Sequence, residues 1–223
     1  MLKDIEAVIF DLDGTLIDSM WIWEKIDREY LETRGIAVPE NLKDEISHLS
    51  FDQVAIYFRD KFNIQESLEA IHQTWNDMAI LEYSNNAPLK KGADKFLAHL
   101  KNLGLKIGLA TSNNGMLLET ALVKNNIYRY FDAITTTGEV KNGKNEPDVY
   151  LLCAERLGVA PEKCLVFEDL PIAVKGAKAA GMKVIAVHDP FSAHAKEEMT
   201  TLADKYIMDY DEIFKDDESN ASF

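Results

Sequence analysis

The chain has 223 residues, with 24 Lys and Arg against 38 Asp and Glu for a formal charge of −14, and it is 47% hydrophobic. That length and balance suit one large folded domain or two modest ones. The acidic excess excludes a broad nucleic-acid or anionic-membrane surface, no apolar run is long enough to span a bilayer, and two cysteines, Cys153 and Cys164, cannot make a disulfide framework.

At the N-terminus Lys3, Asp4 and Glu6 break any signal-peptide pattern, so a cytoplasmic location is expected. Residues 6–11 (EAVIFD) then read as a strand buried on both faces that ends in an acid. Residues 19–86 carry no strand pattern. They show three helical stripes instead: Trp23, Ile26, Tyr30 and Leu31; then Val54, Ala55 and Phe58; then Leu68, Ile71, Trp75 and Met78. This segment reads as an all-helical insert, with 85–88 (NNAP) as its return linker. A helix over 92–103, stopped by Gly104, precedes a strand at 106–111 (KIGLAT). Next come a helix over 113–124, a weaker strand at 133–136, and a helix over 147–157 that opens on Pro147 and stops at Gly158. A strand at 164–169 (CLVFED), a helix over 171–180 and a strand at 183–187 follow. The alternation predicts an α/β domain whose parallel sheet is covered on both faces. The expected organisation is a core of residues 1–18 and 87–215, a helical domain at 19–86, and a mobile acidic tail at 216–223.

Three predicted strands end in reactive side chains: Asp11 with Asp13, then Thr111, then Glu168 with Asp169. Open parallel sheets bind ligands outside the carboxyl ends of their strands, so one rim would receive two acid pairs and a hydroxyl. Four neighbouring carboxylates repel one another unless a cation compensates, and oxygen-only ligation points to Mg²⁺. Because Mg²⁺ commonly shares its shell with phosphate oxygens, a phosphate ester is the natural substrate. Thr111 could donate to one of its oxygens, and Lys144 could neutralise another. Each residue alone also has a plain structural reading: Asp13 as a turn former before Gly14, Thr111 as a helix cap, Lys144 as a solvated loop lysine. The segment Gly138-x4-Gly143-Lys144 imitates a nucleotide-binding loop, but Asn145 stands where the metal-binding hydroxyl belongs. The five histidines (48, 72, 99, 188 and 194) show no ligand spacing; His188 would lie at the periphery of the rim.

These residues resemble the haloacid dehalogenase superfamily. Asp11-Leu12-Asp13-Gly14-Thr15 matches its first motif, Thr111 in LATSN the second, Lys144 in GKNEPD the third, and Glu168-Asp169 in VFED the fourth, all in family order. The resemblance implies a Rossmann-like parallel sheet with a helical cap inserted after the first strand. It implies that Asp11 attacks phosphorus to form an aspartyl-phosphate, and that Asp13 protonates the leaving oxygen and then activates water. Mg²⁺ would be held by Asp11, the Asp13 carbonyl, Glu168 and Asp169, while Thr111, Ser112, Asn113 and Lys144 would grip the phosphoryl group. Asp at position 13 fits the phosphatase branch and not the dehalogenases. Asn145 and Leu170 depart from the family's usual Pro and Ser.

Within that family the rival activity is that of a β-phosphoglucomutase-type phosphosugar mutase, whose cap carries basic residues for a second phosphate. Here 46–51 (ISHLSF) and 73–77 (QTWND) hold no Lys or Arg, which favours transfer to water. The expected protein is a monomeric, Mg²⁺-dependent phosphatase of a small phosphorylated metabolite, a sugar or polyol phosphate. Trp21 is the candidate substrate contact in the insert, with His48, Phe51 and Trp75 forming a partly apolar pocket. A catalytically idle binding protein on the same scaffold would have no need of the full acid set.

Overall fold

Four consecutive residues with both faces covered, Ala-Val-Ile-Phe, form β1 (Ala7–Phe10). The computed structural model describes residues 2–46, 51–113 and 115–213. His48 of the expected pocket and the expected tail at 216–223 lie outside them. After β1 come four helices: α1 (Met20–Glu32), α2 (Leu42–Ile46), α3 (Phe51–Lys61) and α4 (Leu68–Asn85). Alternation then sets in, with α5 (Ala93–Asn102), β2 (Lys106–Thr111), α6 (Gly115–Lys124), β3 (Ala133–Thr136), α7 (Asp148–Leu157) and β4 (Cys164–Glu168). The chain continues through α8 (Pro171–Ala179), β5 (Lys183–Val187), α9 (Lys196–Leu202) and β6 (Lys205–Ile207). Among the described residues no helix is long and apolar enough to cross a membrane.

The chain divides into two compact units, Met1–Met20 with Ala87–Phe223, and Trp21–Asn86. The first is built on six parallel strands in the order β3-β2-β1-β4-β5-β6. One sheet face packs Ala7, Ile9 and Val166 against Val149 and Cys153 of α7 and Val174 and Ala177 of α8. Four rings meet as well: Phe10 stacks on Phe167 at 5.0 Å between centroids, and Phe96 of α5 stacks on Tyr210 at 5.5 Å. The strand order reverses at β1, which lies between β2 and β4, so the crevice at the carboxyl ends of these three strands is the expected ligand position. Phe10 pairs with Leu109 of β2 and Phe167 of β4; the same register carried one residue on sets Asp11 beside Glu168.

The second unit is helical and its centre is aromatic. Trp75 of α4 meets Phe58 of α3 edge-on at 5.2 Å and Tyr30 of α1 at 5.5 Å; such T-shaped pairs bring positive ring edges to negative faces. α4 starts where the Ser67 hydroxyl accepts the Ala70 N–H at 3.2 Å, satisfying one of the helix's unpaired first-turn donors. Lys25 of α1 pairs with Glu82 of α4. The predicted α1 stripe holds at Ile26, Tyr30 and Leu31, which are buried, but Ile22 takes the place of Trp23, which is half-buried with its ring edge-on to Phe51 at 5.6 Å. Met20 through Trp23 are all apolar, so the pattern alone does not set the helix phase. The unit begins at Trp21, two residues later than the expected 19, because Ser19 is engaged in the first unit, donating to Asp13 at 2.6 Å.

Candidate active site

The turn after β1 explains how two acids two residues apart point to one rim. Asp11 continues the ladder, its N–H donating to the Phe167 carbonyl at 3.1 Å. The chain then reverses through Gly14, at φ +78°, with the Leu16 N–H bonded back to the Leu12 carbonyl at 2.9 Å. Glycine is required here twice over: the left-handed backbone favours it, and a Cβ at this position would collide with Asp169 Oδ2.

Asp11, Glu168 and Asp169 are all buried and each offers a carboxylate oxygen within 4.8 Å of the others. Lys144 bridges Asp11 Oδ1 and, at 2.7 Å, Glu168 Oε1. It reaches this position from a loop seated against α8 at Gly176, where any Cβ would strike the Lys144 carbonyl oxygen. Burial works against the lysine's charge, but Asp11 and Glu168 outweigh it and hold its pKa above the usual lysine range. Burial likewise pushes Glu168 up to about 7, in spite of Lys144, and Asp169 well above the ordinary carboxylate range, with Asp11 and Glu168 adding repulsion. One lysine does not balance three buried acids.

A divalent cation fits this arrangement. The Oδ1 of Asp169 accepts from the Thr15 hydroxyl at 3.3 Å, but its Oδ2 is buried with no hydrogen-bond partner among the described residues, an orphaned acceptor on a member of the carboxylate cluster. The Asp13 carboxylate does not belong to that cluster. Ser19 donates to its Oδ1 at 2.6 Å and the Asn113 amide to its Oδ2 at 2.9 Å, which leaves only the Asp13 backbone carbonyl for the expected metal role. The Asn113 side chain is thus engaged with the acid residue.

Thr111 is buried at the end of β2 and its Oγ1 accepts the Asn113 N–H at 3.0 Å, so it forms the turn and sits at the rim at once. Ser112 is exposed. Trp21 belongs to the helical unit and is 38% exposed. His188 pairs through Nδ1 with the Tyr206 hydroxyl at 2.8 Å. The segment after β5 contributes a further buried acid, Asp189, matched by Lys90 at 2.7 Å. Four participants escaped sequence reasoning: Thr15, Ser19, Asn113 as a partner of Asp13, and Tyr150, which donates to Glu168 Oε1 at 2.7 Å. Ser19, just ahead of a helix, carried a local signal as a capping residue type, while Thr15 and Asn113 lay within the quoted motifs without showing which carboxylate each would meet.

Comparison with known proteins agrees with this geometry. The sequence profile of the haloacid dehalogenase-like hydrolases matches residues 8–187. A Drosophila melanogaster protein with the provisional name pseudouridine-5'-phosphatase is 30% identical over 217 residues, 92% of this chain and 93% of its own. The phosphorylated carbohydrates phosphatase of Thermotoga maritima is 33% identical over 181 residues, covering 81% and 84%. A crystal structure from Thermotoga maritima that carries a provisional β-phosphoglucomutase name superposes with a TM-score of 0.78 at 30% identity, over 91% of this chain and 94% of that one. With four ordered motifs converging on one sheet rim, the chain belongs to the haloacid dehalogenase-like hydrolases and is a phosphatase-type enzyme of that family.

Proposed function

We propose that this enzyme hydrolyses a small phosphomonoester, a sugar or polyol phosphate, with Mg²⁺ and through an aspartyl-phosphate on Asp11. The observation that carries the reading is the buried set Asp11, Lys144, Glu168 and Asp169, with its orphaned Asp169 oxygen, beside an independently held Asp13. Asp11, with Lys144 on one oxygen, attacks phosphorus with the other, and the phosphorus–oxygen bond to the alcohol breaks. Asp13, fixed by Ser19 and Asn113, gives its proton to the departing alkoxide. It then takes a proton from the water that attacks the phosphoaspartate, which releases phosphate and regenerates Asp11. Lys144 and Thr111 keep the phosphoryl oxygens in line. Asp11, the Asp13 carbonyl, Glu168 and Asp169 would hold the metal, which supplies charge neutralisation to the transferring group. Transfer to water, and not to a second sugar hydroxyl, is favoured by the absence of Lys and Arg from 73–77. Two buried free thiols suit the reducing cytoplasm, where we place the enzyme as a monomer.

The test is phosphate release from a panel of sugar and polyol phosphates, β-glucose 1-phosphate included, with Mg²⁺ and with EDTA. Metal-dependent release from one or a few substrates is expected. Glucose 6-phosphate formed from β-glucose 1-phosphate without phosphate release would overturn the reading in favour of a mutase.

A further inference from the structure

Tyr150, in the first turn of α7, is fully buried, and its hydroxyl donates to Glu168 Oε1 at 2.7 Å while lying 3.3 Å from the Ala173 carbonyl at the start of α8. A phenol has one proton, and the shorter, charge-assisted bond to the carboxylate takes it. The same Oε1 also accepts from Lys144 at 2.7 Å, and Oε2 stands 3.3 Å from the Asp169 backbone N–H. Glu168 is thus gripped by Lys144 from its loop, by Tyr150 from α7 and by the N–H of its own neighbour Asp169. None of the four motifs includes Tyr150, and phenylalanine would fill its place in the core, so the hydroxyl calls for a reason of its own.

We propose that Tyr150 is a positioning residue whose hydroxyl fixes the Glu168 carboxylate, and through it Lys144, in the arrangement that receives the divalent cation. The inference rests on the metal-dependent reading above. The terminal torsion of a glutamate is broad, so only its hydrogen-bond partners set where the two oxygens point. Lys144 is a weak guide, being a compact charge on a flexible stem. The phenol, in contrast, is carried by a ring buried in the same apolar core cluster as Ile9, Val166 and Val174, and it offers one donor at one place. Hydrogen-bond partners of metal-binding carboxylates act in this way, orienting the ligand and tuning its basicity.

The experiment compares wild type, Tyr150→Phe and Val149→Ala, all stripped with EDTA. Mn²⁺ binding is followed by the electron paramagnetic resonance of the free ion, together with kcat, KM and Tm. For Y150F the Mn²⁺ dissociation constant should rise about 10-fold and kcat should fall about 10-fold, with KM nearly unchanged. V149A trims the same buried helix turn without touching the hydroxyl; its Tm should fall while its Mn²⁺ affinity stays that of wild type. In a Glu168→Gln background, Y150F should add less than about twofold, because the hydroxyl acts through the carboxylate. Wild-type Mn²⁺ affinity and kcat in Y150F, with only Tm altered, would reduce Tyr150 to a packing residue and overturn the inference. A wild-type protein that takes up no Mn²⁺ would overturn the metal reading and this inference with it.

Discussion

In the sheet unit, Asp11, Lys144, Glu168 and Asp169 are buried together, and Lys90 pairs with the buried Asp189 close by. In the helical unit the buried centre consists mainly of the rings of Tyr30, Phe58 and Trp75; its buried Glu82 is matched one-to-one by Lys25, and ion pairs such as Lys61–Glu45 and Arg34–Glu66 are partly exposed. Buried charge costs several kcal/mol per ion unless paired, whereas ring burial stabilises outright. The contrast teaches where each unit's residues are committed. The rim accepts electrostatic strain for the sake of chemistry, and the helical unit is assembled for packing.

Four changes would break or sharpen that contrast. Asp11→Asn removes the nucleophile and one of the crowded charges, and phosphate release should fall by roughly four orders of magnitude or more with Tm little changed. A parallel loss of Tm would mean that the rim also holds the fold together. Trp75→Ala empties the centre of the ring cluster and should cost about 3–5 kcal/mol in denaturant unfolding. A milder Trp75→Phe is expected, since the indole Nε1 is buried without a partner among the described residues. Mg²⁺ at a hundredfold its dissociation constant should stabilise the stripped protein by about 2.7 kcal/mol, read by calorimetry against an EDTA control. An unshifted melting curve would detach the acid cluster from metal binding.

The smallest effect lies in the helical unit. Burial raises Asp27 of α1 from 3.8 to about 7, with Glu24 adding repulsion. A carboxylate whose folded pKa is raised binds its proton more tightly in the native state, so its contribution to stability falls as pH rises from about 4 to about 7. Asp27→Asn should remove that slope and gain about 1 kcal/mol at pH 7.5, much of the shift being screened by solvent on a half-buried group. Identical Tm profiles against pH would refute it.

Periodicity and end signals made most of the fold legible. β1, β2, β4 and β5 are short apolar runs, and Gly104 and Gly158 stop helices as read, each at positive φ. The three-residue β6 and the short α2 and α9 carry too few residues for a period to register. Within the site, strand-end residues were readable because a parallel sheet gathers its carboxyl ends. Tyr150 was not, since its partner Glu168 lies 18 residues on and across a strand. Thr15 was hidden in the same way, 154 residues from the carboxylate it serves.

Gly176 has a practical corollary for anyone wishing to toughen this enzyme. A glycine inside a helix costs about 0.5–1 kcal/mol relative to alanine, which makes Gly176 in α8 an obvious target for thermostabilising substitution. Yet the first methyl group added there would meet the backbone that delivers Lys144. Backbone cannot swing aside as a flexible side-chain tip can, so alanine at this position would cost stability as well as the placement of Lys144, and selection for heat resistance alone would reject it. Selection on activity after heating would keep the glycine as well.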